Sequence, residues 1–177
     1  MSMHRLVACA CVLAVCAGFA CAADGPRLGK PLTAADMAAW DISVMPDGAG
    51  LPPGSGTAAQ GAALYVQKGC VACHGENGKG SASAALVSDR RITDISGGQK
   101  TIANFWPYAT TVFDIIRRAM PWQLPRTLTN DEVYALTAYI LAQNKLIDEG
   151  AVINAETLPQ VRMPNRDGFI VRFPERM

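Results

Sequence analysis

The sequence predicts an all-α fold, and three observations carry that reading. Three separate segments are helical by pattern, at about 58–69, 111–119 and 129–144. Two of them open on a threonine placed to cap a helix, Thr57 and Thr129. No stretch alternates apolar and polar residues convincingly enough to read as a long strand. At 177 residues, 50% hydrophobic and 18% charged, the chain can build one modest domain with a real core, and a second full domain is not expected. Sixteen basic residues against fifteen acidic ones leave a formal charge of +1, so no global field favours nucleic acid or an anionic membrane surface.

Taken in order, the chain opens on a single charge, Arg5, followed by an apolar run from Leu6 to Ala20 and the small residues Ala20-Cys21-Ala22. That arrangement reads as a secretory signal peptide over residues 1–22, because the run falls short of the ~20 residues a membrane span needs. Export to the periplasm is the expectation, with no membrane span in the processed chain. Processing removes His4, Cys9, Cys11, Cys16 and Cys21. The even cysteine count that invited a disulfide framework is thereby reduced to Cys70 and Cys73, with His74 as the one histidine left. Residues 23–56 form a Pro/Gly-rich extension with a short helix expected near Thr33 to Trp40. The first strong helix then runs from Ala58 directly into Cys70.

All three remaining thiol and imidazole groups lie in one pentapeptide, Cys70-Val71-Ala72-Cys73-His74. Structural zinc takes four protein ligands, and the processed chain has no further Cys or His to supply them. A thioredoxin-like redox motif needs a βαβ setting, whereas the surroundings here are helical. C-x-x-C-H is the attachment signature of a c-type haem. Two thiols three residues apart reach the two vinyl groups on one porphyrin edge, and the adjacent imidazole swings onto the iron. One motif predicts one covalent haem. Because His74 stands alone, the sixth ligand is expected from methionine, whose soft thioether raises the haem potential. Met120, in Arg117-Arg118-Ala119-Met120-Pro121 directly after the second helix, is the expected ligand, and a following proline stiffens its loop. Met163, in Arg162-Met163-Pro164, is second choice because it lies beyond the last good helix.

Between the motif and Trp106 the chain is rich in Gly, Ser and Ala, with turns at 76–80. Such a loop is long for a compact domain unless a large group organises it. Leu86, Ile92, Ile95 and Ile102 then serve equally as pocket wall or as ordinary loop hydrophobics. In the second helix Val112, Ile115, Ile116 and Ala119 recur at helical spacing. Arg117 and Arg118 at its end fit either a haem propionate or the helix dipole. Trp106 and Tyr108 just ahead of it read as pocket lining or as bonding a propionate, with simple core packing the other reading of Trp106. The third helix opens with Thr129 and Glu132 at capping-box spacing and carries the stripe Val133, Leu136, Ile140 and Leu141. Residues 148–177 form a second irregular extension, and Trp40, Phe169 and Phe173 lie outside the 57–147 core.

From C-V-A-C-H, the Met120 loop and the helix pair, the segment 57–147 resembles a class I cytochrome c domain, a fold of three to four helices around one covalent haem. In that family a glycine and an aromatic four positions later pack against a C-terminal helix; Gly61 and Tyr65 match the first element, Leu136 and Tyr139 the second. The family often has a proline twelve positions after the haem histidine. Here Leu86 stands there, which leaves the carbonyl partner of His74 open. The runs KTIANFWPYATTVFDIIRRAMPW, LTNDEVYALTAYIL and LPQVRMPNRDGF are similar to the cytochrome c subunit of the sulfur-oxidising (Sox) molybdenum dehydrogenases and of periplasmic sulfite dehydrogenases. The resemblance implies an electron-transfer subunit, not an enzyme on its own. It would accept electrons from a molybdopterin-containing subunit and pass them to a soluble cytochrome c. A free carrier, the cytochrome subunit of another dehydrogenase or oxidase, and a haem enzyme or sensor with a labile sixth ligand remain as alternatives.

Overall fold

The computed structural model describes residues 28–38, 40–88, 98–170 and 172. The segment read as a signal peptide, together with Ile92, Ile95 and Phe173, lies outside them. The chain divides into two units, the first ending at Asp41 and the second running from Ile42. In the first unit, helix α1 (Ala34–Ala38) is the short helix expected near Thr33. The Thr33 backbone and hydroxyl both donate to the Asp36 carboxylate, which holds that carboxyl below its ordinary value. Leu28, Leu32 and Trp40 stand exposed here, Trp40 at 82%.

The second unit is built from β1 (Ser55–Thr57), α2 (Ala58–Gln67), α3 (Cys70–His74), a 3-10 turn at Glu76–Gly78, α4 (Ile102–Phe105), α5 (Ala109–Ala119), α6 (Asn130–Gln143), β2 (Val152–Asn154) and a second 3-10 turn at Leu158–Gln160. The architecture is helical, as the sequence predicts, with one small addition. β1 and β2 pair antiparallel, Gly56 opposite Ile153, in a ribbon of three residues per strand. Three helices start on complete capping boxes: Thr57 with Gln60, Thr101 with Asn104, and Thr129 with Glu132. In each, the threonine oxygen accepts a backbone N–H of the first turn while the third helical side chain reaches back to the cap. Tyr108, at the start of α5, makes no such bond, and that helix begins at Ala109, two residues ahead of the expected Thr111.

α6 is the centre of the unit, with α2, α5 and both strands packed on it. Every residue from Val133 to Leu141 is buried, which is why this helix carries little one-sided polarity. α2 crosses α6 at Gly61. A Cβ built on Gly61 would fall inside the Ala135 carbonyl and crowd Cβ of Tyr139. The residues closest to Gly61 are Ala135 and Tyr139, one turn apart on one face, and Leu136 lies buried in the same cluster as Tyr65 and Tyr139. Beside the crossing the Tyr65 and Tyr139 rings tilt against each other, centroids 5.1 Å apart. Lys68 and Glu132 pair across the same contact at 2.7 Å.

On the far side of α6, Tyr134 stacks on Phe113 at 4.5 Å and donates to the Pro52 carbonyl at 2.8 Å. Burial pushes its phenol up to about 12, the nearby Arg117 charge opposing only part of the rise. An unfolded chain releases that proton near pH 10. Below pH 10 both states keep it, so the contribution is intact; from pH 10 to about 12 only the unfolded state gains by ionising, and stability falls. Urea unfolding at pH 9 and pH 11.5 should show this loss in the native sequence. It should be smaller in Tyr134→Phe, and an equal loss in both would count against the assignment.

The chain beyond α6 belongs to this unit's core. Ile153, Leu158 and Met163 are buried among its helices, Met163 to 1% exposure. Asn165 donates to the Phe105 carbonyl at 2.6 Å, Phe169 meets the Phe105 ring edge-on at 5.4 Å, and the Arg166 guanidinium lies 4.1 Å over Tyr108. Among the described residues no helix is long and apolar enough to cross a membrane.

Candidate functional site

The motif is presented by a break between two helices. α2 closes at Lys68, and Gly69 follows at φ 76°, a left-handed conformation that a β-carbon disfavours. The chain then turns once as α3 and leaves through Gly75, also at positive φ. In a single helical turn, residues three and four apart share a face. Cys73 and His74 are thus both neighbours of Cys70. Both thiols are free and half-buried. Burial, and to a lesser degree the neighbouring Cys73, push the Cys70 thiol above its ordinary value.

The segment after the motif folds back over it. Gly80 N–H donates to the His74 carbonyl and Ser83 N–H to the Cys73 carbonyl, at 2.7 and 2.8 Å. This brings the Ala84 carbonyl to 2.9 Å from His74 Nδ1. A carbonyl only accepts, so Nδ1 carries a proton toward Ala84; in the neutral ring this is the tautomer whose Nε2 lone pair a metal-binding imidazole needs. The partner that the sequence left open is Ala84. Leu86 and Val87 both donate to the Gly78 carbonyl, and Asn144 at the end of α6 anchors the same strap through Ser88 N–H and the Leu86 carbonyl. The 75–78 turn is in turn held from the helix crossing: Tyr65 donates to the Gly75 carbonyl at 3.0 Å and Tyr139 to Asn77 Oδ1 at 3.3 Å.

Met120 ends α5, its N–H bonded to the Ile116 carbonyl at 3.1 Å, and its half-buried side chain packs on the core. The loop beyond it is tied by Leu124 N–H to the Pro121 carbonyl and by the Thr127 hydroxyl to the Leu124 carbonyl. Trp122 on that loop is 77% exposed. Leu86, Ile102 and Trp106 also pack half-buried against the core. Arg118 is committed to Asp114 one turn earlier, at 2.9 Å, and to the Ile42 carbonyl. Among the described residues no cluster of three or more His, Cys, Asp or Glu is placed to hold a metal ion.

Residues 58–144 match the sequence model of the family described as Cytochrome c. The fold is similar to a chain in the crystal structure of the sulfane dehydrogenase SoxCD from Paracoccus pantotrophus, with a TM-score of 0.75 and 38% identity over 85% of this chain and 74% of that one. The chain belongs to the cytochrome c family. No curated protein sequence matches it significantly. As a cytochrome c it is an electron-carrier domain, and membership implies a covalent haem c. The donor chemistry of the pentapeptide fits that group: two unlinked thiols and an imidazole already held in the Nδ1–H tautomer by Ala84. Nothing in the sequence marked Ala84, since an alanine carbonyl leaves no side-chain signature. The hydroxyls of Tyr65 and Tyr139 were equally hidden, because aromatic packing alone accounts for their positions in the pattern.

Proposed function

We propose that this cytochrome carries one haem, fixed by thioethers from Cys70 and Cys73 and ligated by His74 and Met120, and that it serves as the electron-transfer subunit of a periplasmic molybdopterin-containing dehydrogenase oxidising sulfite or a sulfane sulfur. It hands electrons on to a soluble cytochrome c. Likeness to SoxCD at 38% identity over 85% of the chain supports this reading more than the motif does. That coverage exceeds the 58–144 family segment, so the likeness extends into the flanking extensions, where a general cytochrome resemblance has no reason to reach. A haem bound here supplies a one-electron ferric/ferrous couple. The chain's part would be to supply His74 and Met120 as donors to the iron, and the half-buried Leu86, Ile102 and Trp106 would limit the access of water. The exposed apolar residues Leu28, Leu32 and Trp40 ahead of the cytochrome core are the docking strap for the molybdenum subunit. Residues 1–22 direct export.

The test uses the native protein captured from its own cells. The molybdenum subunit should co-purify, and adding sulfite or thiosulfate should reduce the haem. Deleting residues 28–41 should lower recovery of the partner at least tenfold while leaving the haem spectrum unchanged. Unchanged recovery would remove the strap. A haem that stays oxidised with both sulfur substrates would remove the dehydrogenase and leave a free carrier.

A further inference from the structure

We infer that Tyr65 and Tyr139 are positioning residues for His74, acting through the 75–78 turn to fix the imidazole and thereby the redox balance of the iron. The inference rests on His74 being the proximal ligand and goes beyond it, because neither tyrosine touches His74 through any bond described above. Three observations connect them. The Tyr65 hydroxyl, on a residue only 2% exposed, donates to the Gly75 carbonyl, one residue past the histidine. The Tyr139 hydroxyl donates to Asn77 Oδ1, and Asn77 sits at φ 54°, the left-handed region that asparagine tolerates better than most residues, so the bond grips the turn at its bend. Gly78, next in line, accepts from both Leu86 and Val87, so the position of the turn sets the position of the strap that presents the Ala84 carbonyl to Nδ1.

Packing alone does not account for this arrangement. The two rings already stack on each other, and phenylalanines would fill the same crossing. What the hydroxyls add is a pair of bonds directed at consecutive parts of one turn. A hydrogen bond from the far nitrogen of a ligating histidine to a carbonyl raises the basicity of the imidazole and favours the more positive metal. If the turn loosens, the Nδ1–H bond to Ala84 weakens and the ferrous form gains.

The holo protein is compared with Tyr65→Phe, Tyr139→Phe and the double variant, by potentiometric titration and by the proton NMR shifts of the haem methyl groups, which report the imidazole plane. At a fixed ambient potential the ferrous-to-ferric ratio should rise several-fold, most in the double variant, with the methyl shifts rearranged. Asn77→Gly keeps the left-handed turn but removes the acceptor. It should reproduce Tyr139→Phe and add nothing when combined with it. Thr129→Ala, which removes a helix cap whose bonds run to Glu132 and not to the turn, is the control for lost stability. If the tyrosine variants melt earlier yet keep the potential and methyl shifts of the control, the inference is overturned. A wild-type spectrum lacking low-spin histidine–thioether features would instead overturn the ligand assignment, before any variant is compared.

Discussion

Gly61→Ala is expected to destabilise the folded protein by at least about 3 kcal/mol, a large part of the ~5–15 kcal/mol that holds a typical domain together. Ordinarily the sign is opposite. Glycine inside a helix is the poorer residue by roughly 0.5–1 kcal/mol, so the added methyl should help. Here a Cβ would lie within the carbonyl of Ala135, and backbone of the central helix has no rotamer to yield. The α2–α6 crossing would have to open, taking the Tyr65–Tyr139 stack and the Lys68–Glu132 pair with it. Chemical denaturation of the holo protein measures the effect. A Gly61→Ala protein as stable as the native one would mean that the two helices do not approach at this residue.

Met120→Ala is the second large effect, and it is electronic. With the thioether removed, the red-edge sulfur-to-iron absorption band should vanish and the potential should fall by on the order of 0.1 V or more, within the ~0.8 V span that axial ligands command. Covalent attachment through Cys70 and Cys73 should survive, because neither thioether depends on Met120. Met163→Ala is the matched contrast. That side chain lies inside the core, so its loss should cost about 2–5 kcal/mol of stability through an unfilled cavity while the band persists. A band that survives Met120→Ala and disappears with Met163→Ala would exchange the two roles.

The features that could be read from the chain are those whose causes are local. Thr57 and Thr129 mark helix starts because a hydroxyl and a side chain three residues on satisfy the first backbone donors, a bond complete within four residues. C-x-x-C-H is legible for the same reason, with its donors adjacent in sequence. Thr101 uses the same device with a weaker signature, since the partner is Asn104 rather than Glu or Gln and the helix lasts four residues. Where the cause is distant, legibility ends. Ser55–Thr57 and Val152–Asn154 are too short to alternate, and become strands only by finding each other. Leu158 and Met163 read as tail residues because their irregular segment has no period, yet both are core. The partner of His74 depends on the path of the 75–87 strap, and a path made of glycine, serine and alanine carries no side-chain code.

The β1–β2 ribbon also bears on when the protein becomes complete. It joins the residues just ahead of the first helix of the cytochrome core to residues past its last one, so its closure waits for nearly the whole chain. Contacts between segments so far apart are the slow ones in folding. Cys70 and Cys73 lie on the early side of that closure, and they emerge long before Ile153 can pair with Gly56. The ribbon is thus a clasp that joins the two ends of the core late, after the segment carrying both thiols is already made.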